Sequence, residues 1–250
     1  MGERRLSRAV DNFVGHQLSW TMQTDHEREQ PERDQPHSAT PFPIPTRIPV
    51  FPLPNVVLFP KTYLPLHIFE PRYRAMISDA TKSGQCIGMA LLKDGWEMDY
   101  YGHPPVFSTG CVGRLASVQP LPDGRSNILL QGLERFTIER EWHDNAYREA
   151  TIAVTVRGTE TSLDPAVRRR LFSTLELYLQ SRDDVPTWQE LFREEVGDEI
   201  FVNTLSAYLE CTPLEKQFLL EADSLHQQAR RLSDLIEFMI HDRSGAKGWD

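Results

Sequence analysis

Eight histidines, at positions 16, 26, 37, 67, 103, 143, 226 and 241, are the side chains in this sequence best suited to move protons or hold metals. None forms the HExxH spacing that places two imidazoles on one helical face. The three cysteines, Cys86, Cys111 and Cys211, lie far apart with no CxxC pair, so no zinc spacing exists. No GxSxG nucleophile turn and no GxGxxG occurs, and no Gly-Lys dipeptide is present to end a phosphate-binding loop. The carboxylate pairs Asp183-Asp184 and Glu194-Glu195 fall in a helix-patterned region and read as solvated surface. His67, inside an apolar run, reads as a hydrogen-bonded structural residue. Glu70 reads as an anion at a helix start, paired with Arg72 or Arg74. No catalytic residue, metal ligand or cofactor is therefore assigned, and the chain is not expected to be an enzyme.

Binding chemistry is better represented. The stretch Lys93–Pro105 carries Trp96, Met98, Tyr100, Tyr101 and His103 between glycine and proline boundaries, and it is too polar for a core strand. Large amphipathic side chains on a loop beside a sheet are a common way to build a contact surface for a chain or ligand. These five residues are the candidate binding residues. The competing reading is that Trp96 and one tyrosine fold back as a lid on the core.

The elements that must carry this loop are legible from period and punctuation. Residues 22–40 hold Met22 as their one sizeable apolar side chain, so residues 1–45 are expected to be a disordered extension. Prolines at 41, 43, 45, 49, 52, 54 and 60 exclude helix and point to extended edge segments and turns. A strand over Tyr63–Phe69 is followed by Pro71 at a helix start, the stripe Tyr73, Met76, Ile77 and Ala80, and Gly84 as the stop. Further strands are expected at Cys86–Leu92, within VFSTGCVGRLASVQPL, at SNILLQG, at RFTIEREW and at Tyr147–Val156, with a turn at Leu121–Arg125. Beyond 158 the period becomes helical. Asp164-Pro165 opens a helix to about Gln180. Thr187–Glu190 opens a second, interrupted near Gly197 and resuming to Leu209. Thr212–Glu215 opens a third of about 28 residues. The fold class is therefore α+β. Residues 46–158 form a β-rich barrel or folded sheet with one short helix, 159–243 form a helical bundle, and 244–250 are a frayed tail.

Composition narrows the function classes. The net charge of −9 has its acidic excess in the last third, and no region supplies the basic footprint of a nucleic-acid binder. No apolar run reaches the length of a membrane span, and the N-terminus lacks a signal-peptide core. Sparse, unpaired cysteines fit the cytoplasm. Partners are thus expected to be neither membrane nor nucleic acid, and the sequence leaves the oligomeric state open.

The segment IPVFPLPNVVLFPKTYLPLHIFEPRYRAMI, Ile48–Ile77, closely resembles the opening of the Lon protease N-terminal, substrate-binding domain. IGMALLKDGWE, GCVGRLASVQPLPDGRSNILLQGLERFTIE and FVNTLSAYLECTPLEKQFLLEADSLHQQARRL match in the same order, so the resemblance covers about residues 47–240. It implies a PUA-like β pseudo-barrel followed by a helical bundle. It also implies that the motif residues Pro52, Leu53, Pro54, Phe59, Pro60, Pro65, Phe69, Glu70, Pro71, Arg72 and Tyr73 are structural. The chain is expected to be a stand-alone member without the ATPase and peptidase domains. The function implied is non-catalytic polypeptide recognition in an adaptor, chaperone-like or regulatory role, with polypeptide clients and a Lon-type protease as candidate partners. The alternative is a small-molecule or RNA-binding module, since PUA-like folds elsewhere bind RNA and a fold alone does not fix function.

Overall fold

The computed structural model describes residues 42–155, 161–180 and 196–246. The proposed N-terminal extension to residue 41, the Thr187–Glu190 capping box and residues 247–250 lie outside them. Six strands run β1 (Arg47–Leu53), β2 (Tyr63–Ile68), β3 (Cys86–Leu91), β4 (Thr109–Pro120), β5 (Ser126–Trp142) and β6 (Arg148–Thr155). Between β2 and β3 lies helix α1 (Pro71–Lys82), and a short 3-10 turn occupies Trp96–Asp99. The helices that follow are α2 (Pro165–Gln180), α3 (Asp198–Tyr208), α4 (Pro213–Leu220) and α5 (Leu225–Ala246). The chain is thus mixed α+β, strands first. The described residues from Pro43 onward form one compact unit.

The sheet closes on itself. β1 pairs with β3 in parallel and with β6 antiparallel, β3 pairs with β4, β4 with β5, and β5 returns to β6. β2 joins the N-terminal half of β5 as an edge strand. The expected division of residues 126–142 into two strands is wrong. They form one strand of 17 residues, which serves β2 and β4 with one half and β4 and β6 with the other.

The edge assignment of the proline-rich segment is also overturned: β1 lies between two neighbours. Thr46 O accepts from Ile152 of β6 and Leu53 O accepts from Leu92, so even-numbered residues face β6 and odd-numbered ones face β3. β6 covers Arg47–Val50 and β3 covers Val50–Leu53. Pro49 therefore faces β3 before that strand's pairing begins. Pro52 faces β6 after that strand's pairing has ended. Each missing N–H falls where no partner waits.

Helix α1 follows the sequence pattern closely. Pro71 takes the first helical position, and Tyr73, Met76, Ile77 and Ala80 are its buried stripe. Gly84 adopts φ +77°, and Gln85 N–H reaches back to Ala80 O at 2.9 Å, the long bond of a Schellman stop. The stripe packs onto a core with Phe51, Leu58, Ile68, Met89, Leu115 and Leu130. Elsewhere in the sheet, Gly88 and Gly110 make room for the buried ring of Phe136. A Cβ on Gly110 would stand 2.5 Å from that ring and 2.3 Å from Met89 O. Cys86 and Cys111 are buried and Cys211 is half-buried.

The expected helix of about 28 residues from Thr212 is broken in two. Thr212 and Glu215 do form the capping box that starts α4. A second start follows at once: Ser224 Oγ accepts from Gln227 N–H at 3.1 Å, while Gln227 Oε1 accepts from Asp223 N–H at 2.6 Å. The carbonyls released at the break are taken up by the barrel. Buried Arg135 of β5 donates to Leu220 O at 2.7 Å and also to Ala222 O. Heptad continuity therefore did not survive, and Phe218 is exposed while Leu225, Leu232 and Ile236 are buried. Beyond the break, α5 packs along α2, with Arg170 paired to Asp234 and Glu237.

Candidate functional site

The aromatic loop leaves β3 and returns to β4 through a tied neck. Leu92 bridges Val106, Lys93 N–H donates to Pro105 O at 2.9 Å, and Phe107 N–H donates to Leu91 O at 2.9 Å. Inside the neck Gly95 takes φ +84°, a conformation costly for a side chain, and the 3-10 turn follows. Asp99 then closes the loop by accepting from Gly102 N–H on its carbonyl and from His103 N–H on Oδ2.

The first turn of α1 holds the loop against the barrel. Arg72 Nε donates to Glu70 Oε2 at 3.1 Å, and its Nη1 donates to Tyr100 O at 3.1 Å. Tyr100 Oη donates to the other oxygen of Glu70. The Arg72 guanidinium lies over the rings of Tyr73, Tyr100 and Tyr101, at 4.6, 4.7 and 5.7 Å. Burial first, and then Glu70, push the Tyr100 hydroxyl above its ordinary pKa, so it stays a donor. From the start of β6, Arg148 donates to Pro104 O at 2.6 Å and stands 3.4 Å from Glu141 Oε2. Burial lowers the Arg148 pKa, and the neighbouring Arg72 lowers it further. His103 and His143 face each other with ring centroids 3.8 Å apart. Burial, then His103 and Arg148, hold His143 below its ordinary pKa.

Between the loop, α1 and β6 lies a cavity of about 50 Å³ lined by Arg72, Tyr73, Tyr100, Tyr101, His103 and Arg148, with Pro52 and Leu92 also on its wall. The five loop candidates divide. Tyr100, Tyr101 and His103 line the cavity; Trp96 lies half-buried against the edge of Tyr100, and Met98 is 95 % exposed. Tyr101 is 87 % exposed at the rim. Tyr100 is thus held from beneath, while Met98 and Tyr101 face solvent.

The motif residues divide as well. Pro52, Phe59, Pro60 and Tyr73 are buried, Leu53 and Pro54 are half-buried, and Pro71 starts α1. Glu70 pairs with Arg72, one of the two partners expected for it, and Arg72 lines the cavity; Phe69 is 59 % exposed. His67 is exposed, with Nδ1 2.8 Å from Asn127 Oδ1. Pro65 faces outward on the β2 edge, and the Tyr63 carbonyl on that edge already accepts from Tyr208 Oη. Strand addition along β2 would find both a missing donor and an occupied acceptor. Arg148 was missed, although its signal was present: in REATIAVT it occupies the same alternating face as the buried Ala150 and Ile152. Among the described residues no group of histidine, cysteine, aspartate and glutamate could hold a metal ion.

The fold is thus a closed barrel with a following helical part, and its loop borders a cationic, aromatic cavity. A family model described as the ATP-dependent protease La (LON) substrate-binding domain matches residues 47–238, so the chain belongs to that family. The chain is 26% identical over 190 residues to the Lon protease of Flavobacterium johnsoniae, covering 74% of this chain and 23% of that protein. With Lon protease 3 of Sorangium cellulosum it shares 27% identity over 197 residues, covering 77% and 24% respectively. The chain therefore spans about a quarter of the length of these curated relatives. Its fold is like that of a Lon N-terminal domain protein from Xanthomonas campestris, with a TM-score of 0.56, 23% identity and coverage of 77% of this chain and 98% of that one. The N-terminal domain of the Mycobacterium avium complex Lon protease gives a TM-score of 0.57 at 18% identity, covering 76% and 98%.

Proposed function

We propose that this chain recognises polypeptides without catalysing a reaction on them, serving as an adaptor, a chaperone-like holder or a regulatory partner. The observation that carries this reading is the match of residues 47–238 to a family described by substrate binding. The loop supports it: Met98 and Tyr101 present flexible and aromatic surface to solvent on a neck tied at both ends. In this reading the β part is a PUA-like pseudo-barrel, the helices after it form a bundle, and the setting is cytoplasmic. Clients are polypeptides, and a Lon-type protease is the candidate partner. Contact runs through side chains of the loop rather than through an added strand on β2, whose edge is obstructed.

Photo-crosslinking tests the reading directly. An unfolded polypeptide carrying a photoreactive group is irradiated with the intact chain, and the adducts are mapped by mass spectrometry. Adducts concentrated at residues 96–103 are expected. Adducts spread evenly over the surface, or absent, would overturn it.

A further inference from the structure

Arg148 is the most deeply buried cation in contact with the loop, its side chain 4 % exposed, and the Arg72 side chain is 18 % exposed. Each keeps one buried nitrogen without a hydrogen-bond acceptor: Nη2 of Arg72 and Nη1 of Arg148. The local carboxylates do not remedy this. Glu70 spends one oxygen on Arg72 Nε and the other on Tyr100 Oη, and Glu141 approaches Arg148 Nη1 at 3.4 Å without forming a hydrogen bond. A buried guanidinium N–H with no acceptor is uncommon in native proteins and calls for an explanation. Both arginines line the same cavity, and Arg72 stands in the first turn of α1, at the positive end of the helix.

One free guanidinium N–H from each arginine matches the two oxygens of a carboxylate, giving short, charge-assisted bonds. The volume of about 50 Å³ suits a single small anionic group and excludes a nucleotide. Around that group stand Tyr73, Tyr100 and Tyr101, which offer aromatic surface to whatever carries the charge. We infer that the cavity between Arg72 and Arg148 is a carboxylate pocket for a polypeptide client, taking a free C-terminal carboxylate or an Asp or Glu side chain while the adjoining residues lie across Tyr101. This rests on the polypeptide-recognition reading and adds to it a chemical requirement in the client.

The test uses the full chain and fluorescence anisotropy with labelled apolar peptides that differ in one group. One has a free C-terminus, the second is the same peptide amidated, the third is amidated with one internal Asp, and the fourth has Asn in its place. Wild-type protein is expected to bind at least one acid form about tenfold or more tightly than its neutral twin. The amide pair and the Asp/Asn pair separate the two sources of the carboxylate. Arg72→Gln should remove the preference for the acid, so that each acid peptide binds no more tightly than its neutral twin. Arg148→Lys should reduce the preference with circular dichroism unaltered. Equal binding of acid and neutral peptides by wild type would overturn the pocket but leave polypeptide recognition standing. Binding of none of the four would overturn both. Displacement of the acid peptide by inorganic phosphate but not by acetate at equal ionic strength would show a phosphate site instead.

Discussion

Arg135 joins the barrel to the helices through two hydrogen bonds, and its removal has a magnitude that can be worked from the structure. Its guanidinium is buried, and burial holds its pKa below the usual arginine value. It gives bonds to Leu220 O and Ala222 O, the carbonyls exposed where α4 ends. In Arg135→Met both acceptors lose their partner, while the aliphatic volume is largely kept. Hydrogen bonds from a charged donor each contribute about 1.5–3 kcal/mol, and the desolvation of the guanidinium, no longer required, offsets part of the loss. The net expectation is a destabilisation of about 3 kcal/mol, a fall in Tm of about 6–12 °C for a domain of this size. Arg135→Lys keeps the charge but not the reach of Nη1, which serves both carbonyls, and should fall between wild type and Arg135→Met. Equilibrium urea denaturation followed by far-UV circular dichroism measures both. A change below about 0.5 kcal/mol in Arg135→Met would refute the claim that this residue holds the helix break to the barrel.

Three further outcomes follow from other parts of the molecule. Met98→Ala and Tyr101→Ala remove exposed side chains, so thermal melts should stay within about 1 °C of wild type while binding of an unfolded polypeptide weakens about tenfold; early melting would mean that the loop is a lid. Gly110→Ala sets a Cβ against Met89 O and Phe136, so it should destabilise by more than the ~1–3 kcal/mol of ordinary overpacking; a near-neutral urea midpoint would contradict the close approach. His143, faced by His103, Arg148, Glu141 and Asp144, has a lowered pKa in the folded state. Its unfolded form therefore takes up a proton first, and stability present above about pH 6.5 is lost as pH falls toward the folded value. His143→Gln should flatten the fall in Tm below about pH 6.5, and an unchanged slope would assign that loss elsewhere.

Local chemistry was legible wherever one residue type forces one conformation. Pro71, the Tyr73–Ala80 stripe and Gly84 define α1 without tertiary help, and Pro122-Asp123-Gly124 defines the β4–β5 turn, with Gly124 at φ +80°. The misreadings arise where pairing decides. Pro49 and Pro52 are tolerated in β1 only because its two neighbours cover different halves, which no single segment reveals. Leu133 and Glu134 looked like a break between strands, yet β5 runs through them, because β4 and β6 supply partners on either side. At the α4–α5 break a seven-residue recurrence masked the Ser224–Gln227 capping signal, which was there to be read. The site was half legible. The loop residues and the Glu70–Arg72 pair come from local sequence, whereas Arg148 reaches them only after the barrel closes β6 against β1.

The proposed role is polypeptide binding with no further reaction on the bound chain. The most direct test is an anisotropy titration of a labelled, permanently unfolded protein with the purified chain, run with and without ATP and magnesium, followed by mass spectrometry of the same samples. Saturable binding, identical in both conditions, is expected, with the labelled protein recovered intact. Absence of binding, or ATP-dependent cleavage that tracks with the purified chain, would contradict it.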